Sequence, residues 1–107
     1  MNASAMHVLN AHTYCHRSDM DVVKCKSWHE TFIKTRSDNA KKLGIPFFLT
    51  EIGACYDQYS CAPTINNVTG IAAEYLTSWA YYQYKPFGGD YTSIARGNPE
   101  GFWYQDG

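Results

Sequence analysis

Apolar residues come in clusters separated by polar or turn-forming stretches, and their spacing alternates between two periods. Ala5-Met6-His7-Val8-Leu9-Asn10-Ala11 is a short, mostly apolar run that closes on the polar cluster His12-Thr13-Tyr14-Cys15-His16. It predicts a strand that delivers polar groups at its C-terminal end. Ser27-Trp28-His29-Glu30 has the form of a capping box, in which the serine and glutamate side chains satisfy each other's exposed amides, so a helix is expected to begin there. Trp28, Phe32, Ile33, Ala40 and Leu43 follow at three- and four-residue spacing and predict its buried face, with Lys34, Arg36, Asp38 and Lys41 on the others. Gly44 is placed to end the helix in a left-handed cap, Lys41 and Lys42 sit at the negative end of its dipole, and Pro46 blocks continuation.

Ile45-Pro46-Phe47-Phe48-Leu49 is nearly all apolar, as in a strand buried on both faces of a parallel sheet, and it runs out at Thr50-Glu51-Ile52-Gly53. After a loop with Cys55 and Cys61, the positions Ile65, Val68, Ala72, Tyr75 and Leu76 return to helical spacing, with Asn66, Asn67 and Glu74 outward and Gly70 a weak point. Leu76-Thr77-Ser78-Trp79-Ala80-Tyr81-Tyr82-Gln83-Tyr84 predicts a third strand, and Lys85-Pro86-Phe87-Gly88-Gly89-Asp90 turns into a long loop. Strand, helix, strand, helix, strand is the pattern of βαβ units, an α/β fold whose crossovers put both helices on one side of a parallel sheet. The three strands then carry His12 and Tyr14, Glu51, and Trp79 toward one rim, and in α/β folds that rim is where ligands bind.

Composition narrows the function classes. A net charge of -1 without a dense Lys/Arg block gives no electrostatic footprint for nucleic acid or an anionic membrane. No apolar run approaches the roughly 18 residues of a membrane span, so neither partner is expected. The 16% aromatic content suits a sugar site, whose pyranose C–H faces pack on flat rings, as well as it suits an ordinary core.

In order and separation, His12-Thr13-Tyr14, Phe48-Leu49-Thr50-Glu51-Ile52-Gly53 and Leu76-Thr77-Ser78-Trp79-Ala80-Tyr81-Tyr82-Gln83-Tyr84-Lys85-Pro86-Phe87 resemble strands six, seven and eight of glycoside hydrolase family 5. The wording is closest to the endoglycoceramidase-like branch, where stretches like Asn98 to Phe102 and Asp106-Gly107 also follow the last strand. The resemblance covers nearly the whole chain, residues 1–107, and implies the C-terminal part of a (β/α)8 TIM barrel with two intervening helices. It implies a retaining hydrolase of β-linked glucans or glycolipid glycans that uses no cofactor and no metal.

On that resemblance Glu51 is the nucleophile, Tyr14 the phenol that donates a hydrogen bond to its carboxylate, and His12 a histidine that binds sugar and orients the acid. Trp79 matches the indole platform under the sugar, with Gln83 and Lys85 as further substrate contacts and Asp90 within reach. Tyr82 stands where the branch more often has Trp, and Gly88-Gly89 lengthens a turn. The acid/base glutamate carried after strand four has no counterpart, so the chain alone is expected to be inactive and, as a slice of a barrel of about 250 residues, prone to aggregation. The other functions open to such a chain are a non-catalytic carbohydrate-binding remnant and a small secreted disulfide module.

The four cysteines admit several accounts. Cys15 with Cys25 and Cys55 with Cys61 would close short local bridges in a secreted or lysosome-like setting, in which the sequons at Asn2 and Asn67 also fit. His12, Cys15, Cys25 and His29 form a competing zinc set, although its cysteine gap matches no common zinc spacing, and free thiols in a reducing compartment are a third account.

Overall fold

The computed structural model describes residues 7–15, 21–53 and 58–82, with side chains from 62 onward in the last stretch. In chain order the elements are β1 (Leu9–Thr13), α1 (Val22–Leu43), β2 (Phe47–Gly53), α2 (Gln58–Glu74) and β3 (Ser78–Tyr82). The strands form one parallel sheet in the order β1-β2-β3. Both helices pack on the same face and on each other, around a core of Ile33 from α1, Leu49 and Ile52 from β2, and Val68, Ile71 and Ala72 from α2. The expected α/β alternation is thus present as a three-stranded parallel sheet with two helices.

Helix α1 starts five residues before the capping box. Asp21 is the cap, with extended backbone and a side chain that accepts the amide of Lys24 at 2.8 Å. Ser27 and Glu30 are exposed within the helix, and the Ser27 carbonyl accepts the Thr31 hydroxyl instead. The buried stripe is Cys25, His29, Ile33, Ser37 and Ala40, a row in steps of four and finally three that includes groups a hydropathy pattern scores as polar. Trp28, expected in that stripe, is 40% exposed and stacks on Phe32, while Leu43 lies in solvent. The helix ends as expected, with Gly44 at φ 67° and its amide returning to Ala40 and Lys41.

Helix α2 begins at Gln58, earlier than its hydrophobic spacing indicates, and takes in Pro63, whose ring nitrogen cannot donate back along the helix. Leu76, expected on its buried face, lies past its end at φ 52° and 94% exposed. Strand β1 continues through His12 and Thr13, and β3 begins only at Ser78.

Strand β2 carries one residue more than either neighbour between Leu49 and Ile52. Ala11 pairs with Leu49 but His12 with Glu51, and Leu49 pairs with Trp79 but Ile52 with Tyr81. Strict alternation would put positions three apart on opposite faces; the extra residue lets both Leu49 and Ile52 enter the helix-side core. Each of those two fully buried side chains contributes about 1.5–3 kcal/mol.

Candidate functional site

The same bulge decides where Glu51 points. With Leu49 and Ile52 both committed to the helix layer, Glu51 projects from the opposite face, at the C-terminal end of the central strand. His12, its lateral neighbour on β1, shares that face, whereas Thr13 pairs with Ile52 and is buried toward α1.

Three side chains meet there. The Tyr14 hydroxyl donates to Glu51 Oε2 at 2.7 Å, and His12 Nδ1 lies 3.3 Å from the same oxygen. The tyrosine contact is a charge-assisted bond when the carboxylate is ionised, and the histidine contact becomes an ion pair when the imidazole carries its second proton. Glu51 is partly shielded and His12 half-exposed, so a solute can reach the group. Both contacts converge on Oε2, and among the described residues Oε1 receives no hydrogen bond. The arrangement offers a carboxylate with one oxygen held and one presented.

Trp79, matched by resemblance to the sugar platform, has no contact with these three side chains among the described residues. It is the second residue of β3, opposite Leu49, and so lies in the N-terminal half of the sheet instead of at a strand's end. By alternation it shares a face with Tyr81, which packs against the helix-side core, and it is 46% exposed. Ser78, Ala80 and Tyr82 occupy the other face, and Tyr82, opposite Gly53 at the rim, is the β3 aromatic on the Glu51 face. The phase of β3 identifies it: once Tyr81 is assigned inward, Tyr82 turns the other way. Gln83, Lys85 and Asp90 lie outside the described residues.

Gly53 makes the close approach of β2 and β3 possible at this rim. Its φ is 146°, and a Cβ built there would meet the Tyr82 carbonyl oxygen at 2.2 Å, so the position excludes any side chain.

Cys15 and Cys25 are joined as a disulfide with a Cα–Cα distance of 5.8 Å. That removes the zinc set, because neither sulfur is a thiolate and His29 Nδ1 is engaged by the Thr13 hydroxyl at 2.7 Å. No group of three or more metal-ligating side chains occurs among the described residues. The Cys55–Cys61 pairing lies outside the described side chains. Neither described helix is long and apolar enough to cross a membrane. Comparisons with family models, with curated proteins and with solved structures find no match to this chain.

Proposed function

We propose that this chain carries the nucleophile side of a retaining glycosidase site acting on β-linked glucans or glycolipid glycans. The observation that carries this is the convergence of Tyr14 and His12 on a single oxygen of Glu51 at the C-terminal rim of a parallel sheet. In retaining hydrolysis a carboxylate attacks the anomeric carbon while a second carboxylic acid, about 5–5.5 Å away, protonates the leaving oxygen and then activates water. Oε1 of Glu51 forms the bond to the sugar, and Oε2 becomes the carbonyl oxygen of the glycosyl ester. The Tyr14 hydroxyl stays on Oε2 through both steps, which fixes the carboxyl group in the plane needed for attack.

The residue-order resemblance to glycoside hydrolase family 5 supports the same assignment of Glu51, Tyr14 and His12. Tyr82, on the Glu51 face at the end of β3, supplies the flat ring for a sugar C–H face, with Gln83 and Lys85 following it in sequence. The other described carboxylates, Asp21, Glu30, Asp38 and Glu74, belong to the helix layer on the far side of the sheet. The general acid therefore comes from outside the described residues. The Cys15–Cys25 bridge supports an oxidising location, extracellular or within the secretory pathway.

The test is mechanism-based labelling of the natural protein with a 2-deoxy-2-fluoro-β-glycoside, followed by peptide mapping. The expected label is on Glu51; a label on any other residue overturns the assignment.

A further inference from the structure

The last residues of β1 are tied to α1 on both sides of Tyr14. Thr13 and His29 are each 1% exposed and joined at 2.7 Å, and Cys15 is bonded to the buried Cys25. Cys25 and His29 are four apart on one face of α1, so the two ties lie one helical turn from each other. Thr13 and Cys15, two apart at the strand's end, turn toward the helix, and Tyr14 between them turns to the opposite face, where its hydroxyl meets Glu51. Strand ends ordinarily fray, because the last pairing is followed by backbone with no ladder to hold it. Here that backbone is fixed by one covalent and one buried polar tie, neither of which touches Glu51.

We propose that the Cys15–Cys25 bridge and the Thr13–His29 pair are the positioning device of the site, through which α1 sets the Tyr14 phenol against the Glu51 carboxylate. The purpose given to that contact rests on Glu51 being the attacking carboxylate; the geometric link does not require turnover and can be tested without it. Thr13, Cys15, Cys25 and His29 are positioning residues, acting on the reacting group through Tyr14. An oxidising surrounding then does more than stabilise the fold: it fixes the phenol.

The experiment uses the full 107-residue chain carrying 3-fluorotyrosine and reads the fluorine resonance of Tyr14, assigned by its loss in Tyr14→Phe. Glu51→Ala gives the position of that resonance when the contact is gone. Cys15→Ser/Cys25→Ser and, separately, Thr13→Val are expected to move the signal at least half of the way to that position while the other tyrosine signals stay in place. A Tyr14 signal that keeps its wild-type position in both variants overturns the proposal.

The reciprocal measurement needs no variant lacking the bridge. Coupling between two contacts is mutual, so Tyr14→Phe is expected to lower the oxidised-to-reduced ratio of the Cys15–Cys25 pair in a glutathione buffer by roughly three- to tenfold, the part of the lost hydrogen bond's effect that the link transmits. An unchanged ratio contradicts the link. A fluoro-glycoside label away from Glu51 together with a responsive Tyr14 signal would sink the glycosidase assignment and leave the positioning device standing. A label on Glu51 with an unresponsive signal would do the reverse.

Discussion

Thr50 and Glu51 occupy the stretch in which β2 has one position more than its neighbours, and that surplus, not the identity of either residue, turns the carboxylate away from the core. The account at this scale is therefore about direction. Removing the Tyr14 hydroxyl deletes a hydrogen bond to a charged group, worth about 1.5–3 kcal/mol, so on the proposed glycosidase assignment Tyr14→Phe should lower kcat by roughly ten- to a hundredfold in steady-state assays. Gly53→Ala should be far worse than an ordinary rim substitution, since a methyl group would press on the backbone of Tyr82; a loss of about 2 kcal/mol or more is expected in denaturant unfolding. Glu51, His12 and Tyr14 were legible in the sequence because each follows or ends an apolar run within a short recognisable motif. Which sheet face each of Trp79, Tyr81 and Tyr82 takes was not legible, because a run of aromatic residues does not reveal the phase of its strand. That phase is set by which ring, here Tyr81, packs against the helices.

Helix α1 shows how a local signal is overruled. Ser27 and Glu30 have the letters of a capping box, but Cys25 and His29 have partners at the end of β1, and burying them requires helix upstream of Ser27. Asp21 then takes the cap. Asp21→Ala should cost about 1 kcal/mol in thermal or denaturant melts, whereas Ser27→Ala should cost little. Gly44, the stop signal that sequence did identify, succeeds because a left-handed cap depends on local backbone alone. On the solvent side, the Lys34 ammonium hydrogen-bonds Asp38 and holds its carboxyl below the ordinary carboxylate value, while the same bond raises Lys34. Any stabilisation from Asp38 is then present above its unfolded value and fades as pH falls through the folded one, and that from Lys34 is present below its unfolded value and fades as pH rises through the folded one. Both groups lie in solvent, so Asp38→Asn should leave the melting temperature at neutral pH within experimental error.

Across the whole molecule the described elements form two layers, helices on one face of the sheet and the Glu51 group on the other. The element alternation was legible because two helical periods and three apolar runs are strong signals; the register was not, because a bulge depends on how three strands meet. Opening the Cys15–Cys25 bridge, which spans ten positions, should cost about 2–3 kcal/mol in unfolding free energy by the chain-entropy account, and Ile52→Ala about 2–5 kcal/mol by leaving a cavity at the core's centre. Ile52→Ala removes no partner of the carboxylate and so separates stability from chemistry, whereas opening the bridge is expected also to release the Tyr14 phenol from Glu51. The central proposal, that the residue 51 carboxylate attacks the anomeric carbon, is tested most directly by Glu51→Gly in the natural protein with an activated aryl β-glycoside and added azide. The small anion should fill the place of the missing carboxylate and yield an α-glycosyl azide with activity restored. A β-configured azide, or no rescue from a folded variant, would contradict the account.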